Sequence, residues 1–390
     1  MSKELTISTR GIEMPESPIR KLAPLAYKAE DEGVKIYRLN IGQPDLPTPQ
    51  KALDVLKCVD RTTLEYSPSQ GYRSLREALV NYYERYQIKL NSDEIIITSG
   101  GSEAVLFAFM SCLNPGDEII VPEPAYANYM SFAISAGAKI RTVATTIEEG
   151  FCLPKVEKFE ALINERTKAL LINTPSNPTG NCLTMESMKK IAEIAVKHDL
   201  IVIADDIYTA FSYQNPFVPI ASLPGMKERT ITLNSFSKNF TMTGWRIGNI
   251  IAPDYIIRII QQINENVVFT APSISQRAAI YALRYRDKVQ PPMVEEYRKR
   301  MFYAADRIAK IPKISVINPP KGSFYLFINI KETGLSSTEA AEMFLMKAHV
   351  NTLPGNAFGE CGEGYVRIAC TVGIEELEEA FDRIEKALQE

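Results

Sequence analysis

The chain has 390 residues, 45% of them hydrophobic and 23% charged, and 44 Lys and Arg against 47 Asp and Glu leave a formal net charge of −3. That length accommodates two domains with a sizeable core at roughly 100–200 residues each, and the near-neutral balance argues against a nucleic-acid binder or a charged interaction tail. No window is long and apolar enough to span a membrane, and the polar, mixed-charge stretch 1–20 lacks the apolar run of a secretory signal, so a soluble cytoplasmic protein is expected.

From residue 95 onward, short apolar runs alternate with helical stretches. EIIIT (94–98) reads as a buried strand that meets SGGSEA and a helix over about 102–113. NPGDEIIVPEP (114–124) reads as a turn, a strand and a loop, and KALLIN (168–173) as a strand before the loop TPSNPTG. A helix with a capping signal, Thr184 with Ser187, leads to LIVIADD (200–206). TITLNS (230–235) and RIGNIIA (246–252) continue the series. Strands separated by helices predict an α/β fold with a mostly parallel sheet flanked by helices, whose ligands collect at the carboxyl ends of the strands. The last hundred residues predict a smaller α+β unit. It has a long amphipathic helix from PPMVEEYRKRMFYAADRIAK, strands at FYLFINI and YVRIACT, and helices at STEAAEMFLMKAHV and IEELEEAFDRIEKALQE. The expected division is a large domain at 44–287 and a discontinuous small domain from 1–43 and 288–390.

Six cysteines without a CxxC suggest reduced thiols, mostly core, rather than a disulfide framework. His198 and His349 are the only histidines, each at the end of a predicted helix and away from any cluster with ligand spacing. A structural zinc site and a Ser-His-Asp hydrolase are therefore poorly supported, and no metal is expected. An enzyme built on this chain needs another proton-transfer group.

Lys238, in SFSK just beyond TITLN, supplies one. Burying an ammonium is costly, and a Schiff base with a carbonyl relieves it; the plain alternative is a loop lysine that reaches solvent. Arg246, in TGWRIGN, adds a second cation, and with Ser235 and the glycines of Ser99-Gly100-Gly101-Ser102 it makes a phosphate cup at a helix N-terminus, which Ser102 can also cap. Taken alone, the glycine pair is no more than a tight turn. Asp205, in ADDIY, can hold a heterocyclic N–H⁺, and Tyr208 and Asn177 can donate to a phenolic oxygen. The turn-forming composition of SNPTG explains its Pro and Gly without selecting Asn177. Tyr126, in PAYANY, offers a flat face for stacking, though it is one of 18 tyrosines.

In this order the motifs SFSK, GWRIG, SNPTG and ADDIY resemble the fold-type I pyridoxal-phosphate enzymes, specifically the class I aminotransferases related to aspartate aminotransferase. The resemblance runs from about residue 40 to residue 367. It implies that Lys238 attaches pyridoxal 5'-phosphate as a Schiff base and serves as the acid–base group, and that Asp205 pairs with the pyridine nitrogen. It further implies that Asn177 and Tyr208 bind the phenolic oxygen, that Tyr126 stacks on the ring, and that Gly101, Ser102, Ser235 and Arg246 hold the phosphate. Tyr66, in EYSPSQGYRSLR, matches the position that reaches across a homodimer to the partner's phosphate. Arg367, in EGYVRIA, matches the two-pronged grip on the substrate α-carboxylate, and Gly42, in LNIGQPD, a backbone contact on the same group.

The implied reaction is ping-pong transfer of an α-amino group from an amino acid to a 2-oxo acid. A C–S β-lyase on the same fold shares every one of these motifs. A non-catalytic effector-binding module would need a DNA-binding segment that the start of the chain does not provide. Arg20 is a conceivable partner for a distal substrate carboxylate, against the plainer reading of a packing or surface arginine. Phe324 and Tyr325, in KGSFYLF, resemble an aromatic stretch near substrate. Aspartate, alanine and aromatic amino acids all remain open, with glutamate and 2-oxoglutarate the default second pair.

Overall fold

The computed structural model describes residues 6–17, 21–58 and 63–389. Arg20 lies outside them. Twelve strands are formed by these residues: β1 Tyr37–Arg38, β2 Ile95–Thr98, β3 Glu118–Glu123, β4 Lys139–Ala144, β5 Thr167–Asn173, β6 Ile201–Asp205, β7 Thr230–Ser235, β8 Gly248–Ile251, β9 Tyr325–Asn329, β10 Val350–Asn351, β11 Leu353–Pro354 and β12 Tyr365–Ala369. Seven make one sheet in the order β2-β8-β7-β6-β5-β3-β4, parallel except for β8, which runs against both neighbours.

The apolar runs of the sequence explain this sheet. All four residues of β2 and all six of β7 are buried, as expected for strands covered by helices on both faces. Successive residues point to opposite faces. Ile96 packs with Phe107, Phe109 and Ile257 on one side, while Ile95 and Ile97 pack with Leu79, Tyr83 and Ala279 on the other.

A three-stranded antiparallel sheet β11-β12-β9 and a parallel pair β1-β10 form the rest. One apolar cluster joins Leu22, Ala26, Tyr37 and Leu39 near the start of the chain to Tyr297, Met301, Phe344, Ile368 and Phe381 near its end.

Three details differ from the sequence reading. The long helix spans Arg286–Ile308, so Pro291 and Pro292 lie within it rather than opening it. Residues 246 and 247 are not part of β8, because Arg246 adopts a left-handed backbone, φ +49°. The helix after β2 spans Gly101–Cys112 and is capped by Gly100 at φ +91°, so Ser102 falls inside its first turn and caps nothing. Thr184 does cap its helix, accepting from the Ser187 amide at 3.2 Å. The cysteines are all free, but only Cys370 is fully buried.

Among the described residues no helix is long and apolar enough to cross a membrane.

Candidate active site

Strand register assembles the floor. Asn173 at the end of β5 pairs with Asp205 at the end of β6, and Asp205 pairs with Leu233 of β7. At the end of β7, Ser235 opens the single turn Phe236–Asn239 that carries Lys238. The reversed strand puts Gly248 opposite both Ser235 and Thr98, which brings the loop after β2 against the loop after β7. Arg246 therefore spans the two loops, donating to the Thr243 carbonyl at 3.2 Å and the Ser99 carbonyl at 3.5 Å.

A roof comes from elsewhere in the chain. The segment 40–48 is pinned from both sides. Asp45 takes both bonds from Arg300 at 2.8 and 2.9 Å and one from the Tyr297 hydroxyl at 2.9 Å, and Thr48 donates to the Thr241 carbonyl at 2.6 Å. Arg367 of β12 donates to the Asn40 carbonyl at 2.6 Å and to Asn177 Oδ1 at 3.0 Å.

Between floor and roof lies a cavity of about 310 Å³. Gly42, Gly101, Ser102, Tyr126, Asn177, Asp205, Tyr208, Ser235, Lys238, Arg246 and Arg367 all line it. Tyr66 does not. It is 81% exposed, with its ring edge-on to Phe269 at 4.9 Å. Tyr325 lines the cavity, whereas Phe324 is turned into the core against Tyr208, Phe211 and Tyr297.

The charges here are unusual. Burial pushes the Lys238 amine down to about 8, with the Arg367 and Arg246 charges acting in the same direction, and the amine donates to the Gly42 carbonyl at 2.5 Å. Burial raises Asp205 to about 6, opposed by a hydrogen bond from Tyr129 at 2.5 Å. Its other oxygen, Oδ1, is buried without any partner. Asp206 is pushed far up by burial and then by Asp205 beside it. Arg367 is buried too, its guanidinium 4.4 Å from the Tyr325 ring centroid and 5.1 Å from that of Phe358, with Nε unpartnered. Neither Lys238 nor Arg367 has a carboxylate partner among the described residues.

Chemically, this is a buried carboxylate awaiting a cation, a buried guanidinium awaiting an anion, and an amine that is partly neutral near physiological pH.

Sequence reasoning missed Tyr129 and Asn173. Tyr129 lies in the first turn of the helix Asn128–Ala136 and Tyr126 in the loop just before it, and the two rings meet edge-on at 5.4 Å. Asn173 donates to the Asp205 carbonyl at 2.8 Å and accepts from the Asn177 amide at 2.8 Å, fixing both neighbours. Its one available signal was a polar residue closing an apolar strand.

Comparison with known proteins agrees with this geometry. The sequence matches the family described as aminotransferase class I and II over residues 34–384. It is 41% identical over 381 residues to an aspartate aminotransferase of Pyrococcus abyssi, covering 96% of each chain. It is 38% identical over 393 residues to an aromatic-amino-acid aminotransferase of Thermococcus litoralis, covering 99% of each. A solved aspartate aminotransferase of Thermus thermophilus, a double mutant, superposes with a TM-score of 0.93 at 30% identity over 98% of this chain and all of that one. The chain belongs to the class I and II aminotransferases, and it is an aminotransferase with the fold of the aspartate enzymes.

Proposed function

We propose that the chain uses pyridoxal 5'-phosphate to move the α-amino group of an α-amino acid onto a 2-oxo acid in two half-reactions. The observation that carries this reading is a pair of opposite buried charges without a counter-charge among the described residues, Asp205 and Arg367, lining the same cavity as the Lys238 amine.

The residues fit the cofactor. The orphaned Asp205 Oδ1 suits a pyridine N–H⁺, which would hold the carboxylate ionised despite its burial. Arg246, Ser235 and the amides opening the helix Gly101–Cys112 suit a phosphate. Tyr208 and Asn177 would donate to the phenolic oxygen, and Tyr126 would lie against the ring. Bound pyridoxal phosphate supplies a carbonyl that condenses with amines and a ring that accepts the electron pair left when a Cα proton departs.

The chain's own groups do the rest. Arg367 would take the α-carboxylate, exchanging the Asn40 carbonyl for an anion in a dry site while keeping Asn177. That orients the Cα–H toward Lys238. A lysine depressed to about 8 is partly neutral at pH 7–8, so its Nζ, once free of the cofactor, would serve as the group that takes up and gives back the proton of the substrate. Asn177 already touches Arg367, and so holds the guanidinium while facing the ring.

We further infer a homodimer in which Tyr66 reaches the partner's phosphate. Supporting it are the exposure of Tyr66 and a neighbouring apolar patch, Leu64, Val267, Val268 and Phe269. A large domain at 44–287 and a small domain from 1–43 and 288–390 accord with the separate sheets and with the cluster joining both ends of the chain.

The test is an absorption spectrum of the protein with pyridoxal phosphate, before and after single amino acids are added without oxo acid. A visible band that moves to shorter wavelength with one equivalent of 2-oxo acid released is expected, as is borohydride fixation of the cofactor on Lys238 by peptide mass spectrometry. Fixation elsewhere, or catalytic ammonia release in place of oxo acid, overturns the reading.

A further inference from the structure

Tyr325 is absorbed by no role so far, yet it touches both halves of the site. Its hydroxyl lies 3.1 Å from that of Tyr208, its ring lies 4.4 Å under the Arg367 guanidinium, and it is buried. Gly42 is shaped around it: a Cβ on Gly42 would overlap the Tyr325 hydroxyl. So the segment 40–48, which receives Lys238 and Arg367 on its carbonyls, closes against Tyr325 only where it has no side chain.

A hydroxyl has one hydrogen and two acceptor lone pairs. In a buried pair, one partner donates and the other is left with its hydrogen free to point elsewhere. Arg367 and Tyr208 are the charged and titratable groups acting on Tyr325, and the positive charge over its ring favours Tyr325 as the donor. With Tyr325 donating, Tyr208 accepts, and its own hydrogen is left for a partner in the cavity that both residues line.

We propose that Tyr325 is a positioning residue that links the two recognition events of the site, its hydroxyl aiming the Tyr208 proton at the cofactor's phenolic oxygen and its ring bracing Arg367 for the substrate carboxylate. This rests on the pyridoxal-phosphate reading above. It divides one side chain into two separable functions, an O–H acting through Tyr208 and a face acting through Arg367.

The experiment uses the cofactor-loaded enzyme and reads the pH midpoint of the cofactor's visible absorption band together with KM and kcat. Donation to the phenolic oxygen favours the form that has lost its shared proton, so weakening the donor raises the midpoint. Tyr325→Phe keeps the ring and removes the donor; it raises the midpoint by about half a unit, since hydrogen bonds in series strengthen one another only modestly, and leaves KM within about twofold. Tyr208→Phe raises it further, and adding Tyr325→Phe to Tyr208→Phe changes nothing more, because the hydroxyl acts only through Tyr208. Tyr325→Leu removes the face and raises KM for every α-amino acid about tenfold, as loss of a desolvated cation–π contact predicts. Gly42→Ala, whose Cβ would overlap and so displace the Tyr325 hydroxyl while the residue itself is kept, raises the midpoint as Tyr325→Phe does. A midpoint unmoved by Tyr325→Phe, or additive shifts in the double variant, overturns the proposal. A wild-type protein that forms no band with pyridoxal phosphate overturns instead the reading on which it rests.

Discussion

The floor and the roof of the cavity are built on different principles. Asn173, Asp205, Ser235 and Gly248 are set by strand register, each held by a backbone ladder within one sheet. The roof is a joint between two pieces: Tyr325 and Arg367 sit on the ladder of β9 and β12, while the loop that bears Gly42 is held against them by side-chain contacts across the chain. A ladder fixes position whatever the side chain is. A contact between side chains must be remade whenever one of them changes. On the proposed reading, holding a ring and its phosphate, which tolerates little displacement, would fall to the floor, and gripping substrate to the joint in the roof.

Substitutions can break this division. Lys238→Ala removes both the attachment point and the base, so turnover should fall by about 10⁴-fold or more while the far-UV circular dichroism is unchanged. Near-normal turnover would remove Lys238 from the chemistry altogether.

Arg367→Ala should lower kcat/KM for all α-amino acids by roughly 10²–10³-fold, the size expected when one member of a buried, hydrogen-bonded charge pair is lost. The absorption band of bound cofactor should persist. Loss of the band in that variant would mean that roof and floor are not separable.

A third comparison concerns stability. Asp205 is raised from 3.8 to about 6 in the folded chain. A carboxyl raised on folding destabilises wherever it is ionised. The cost is absent below about 4, grows between 4 and 6 and is complete above 6. Asp205→Asn should therefore stabilise the cofactor-free protein at pH 7–8 by on the order of 2–3 kcal/mol, and by nothing at pH 4. Urea unfolding at the two pH values checks it. Equal effects at both would show that the shift is not the cause.

Tyr129→Phe is the mildest change, removing one hydrogen bond from Asp205 Oδ2. About a tenfold fall in kcat is expected with KM unchanged, since the residue touches the floor alone.

The floor was also the more legible half. Buried strands ending in polar motifs give themselves away in sequence, and Asp205, Ser235 and Lys238 lie where such strands end. Tyr129 stayed hidden because nothing local says which tyrosine of a pair at i and i+3 meets the acid and which meets the cavity. Arg367 does carry a signal, a cation inside the apolar strand YVRIA, but its partners Asn40 and Asn177 are 327 and 190 residues away and leave no mark nearby. Ser102 was misread as a cap because the helix starts one residue earlier, with Gly100 at the N-cap position and no side chain capping it. The early start of the helix Arg286–Ile308 was masked by two prolines that usually open helices rather than interrupt them.

The reversed strand β8 has a consequence for synthesis. In the sheet, β2 has no neighbour except β8, and its last residue, Thr98, waits for Gly248. At about 5–20 residues per second, a ribosome takes on the order of ten seconds to cover that interval. During it the edge of β2 and the cup beside it have no lid of backbone. On the proposed reading, a nascent chain of this protein cannot close the cofactor cup until β8, Gly248–Ile251, has emerged, which sets the earliest point at which it can be loaded.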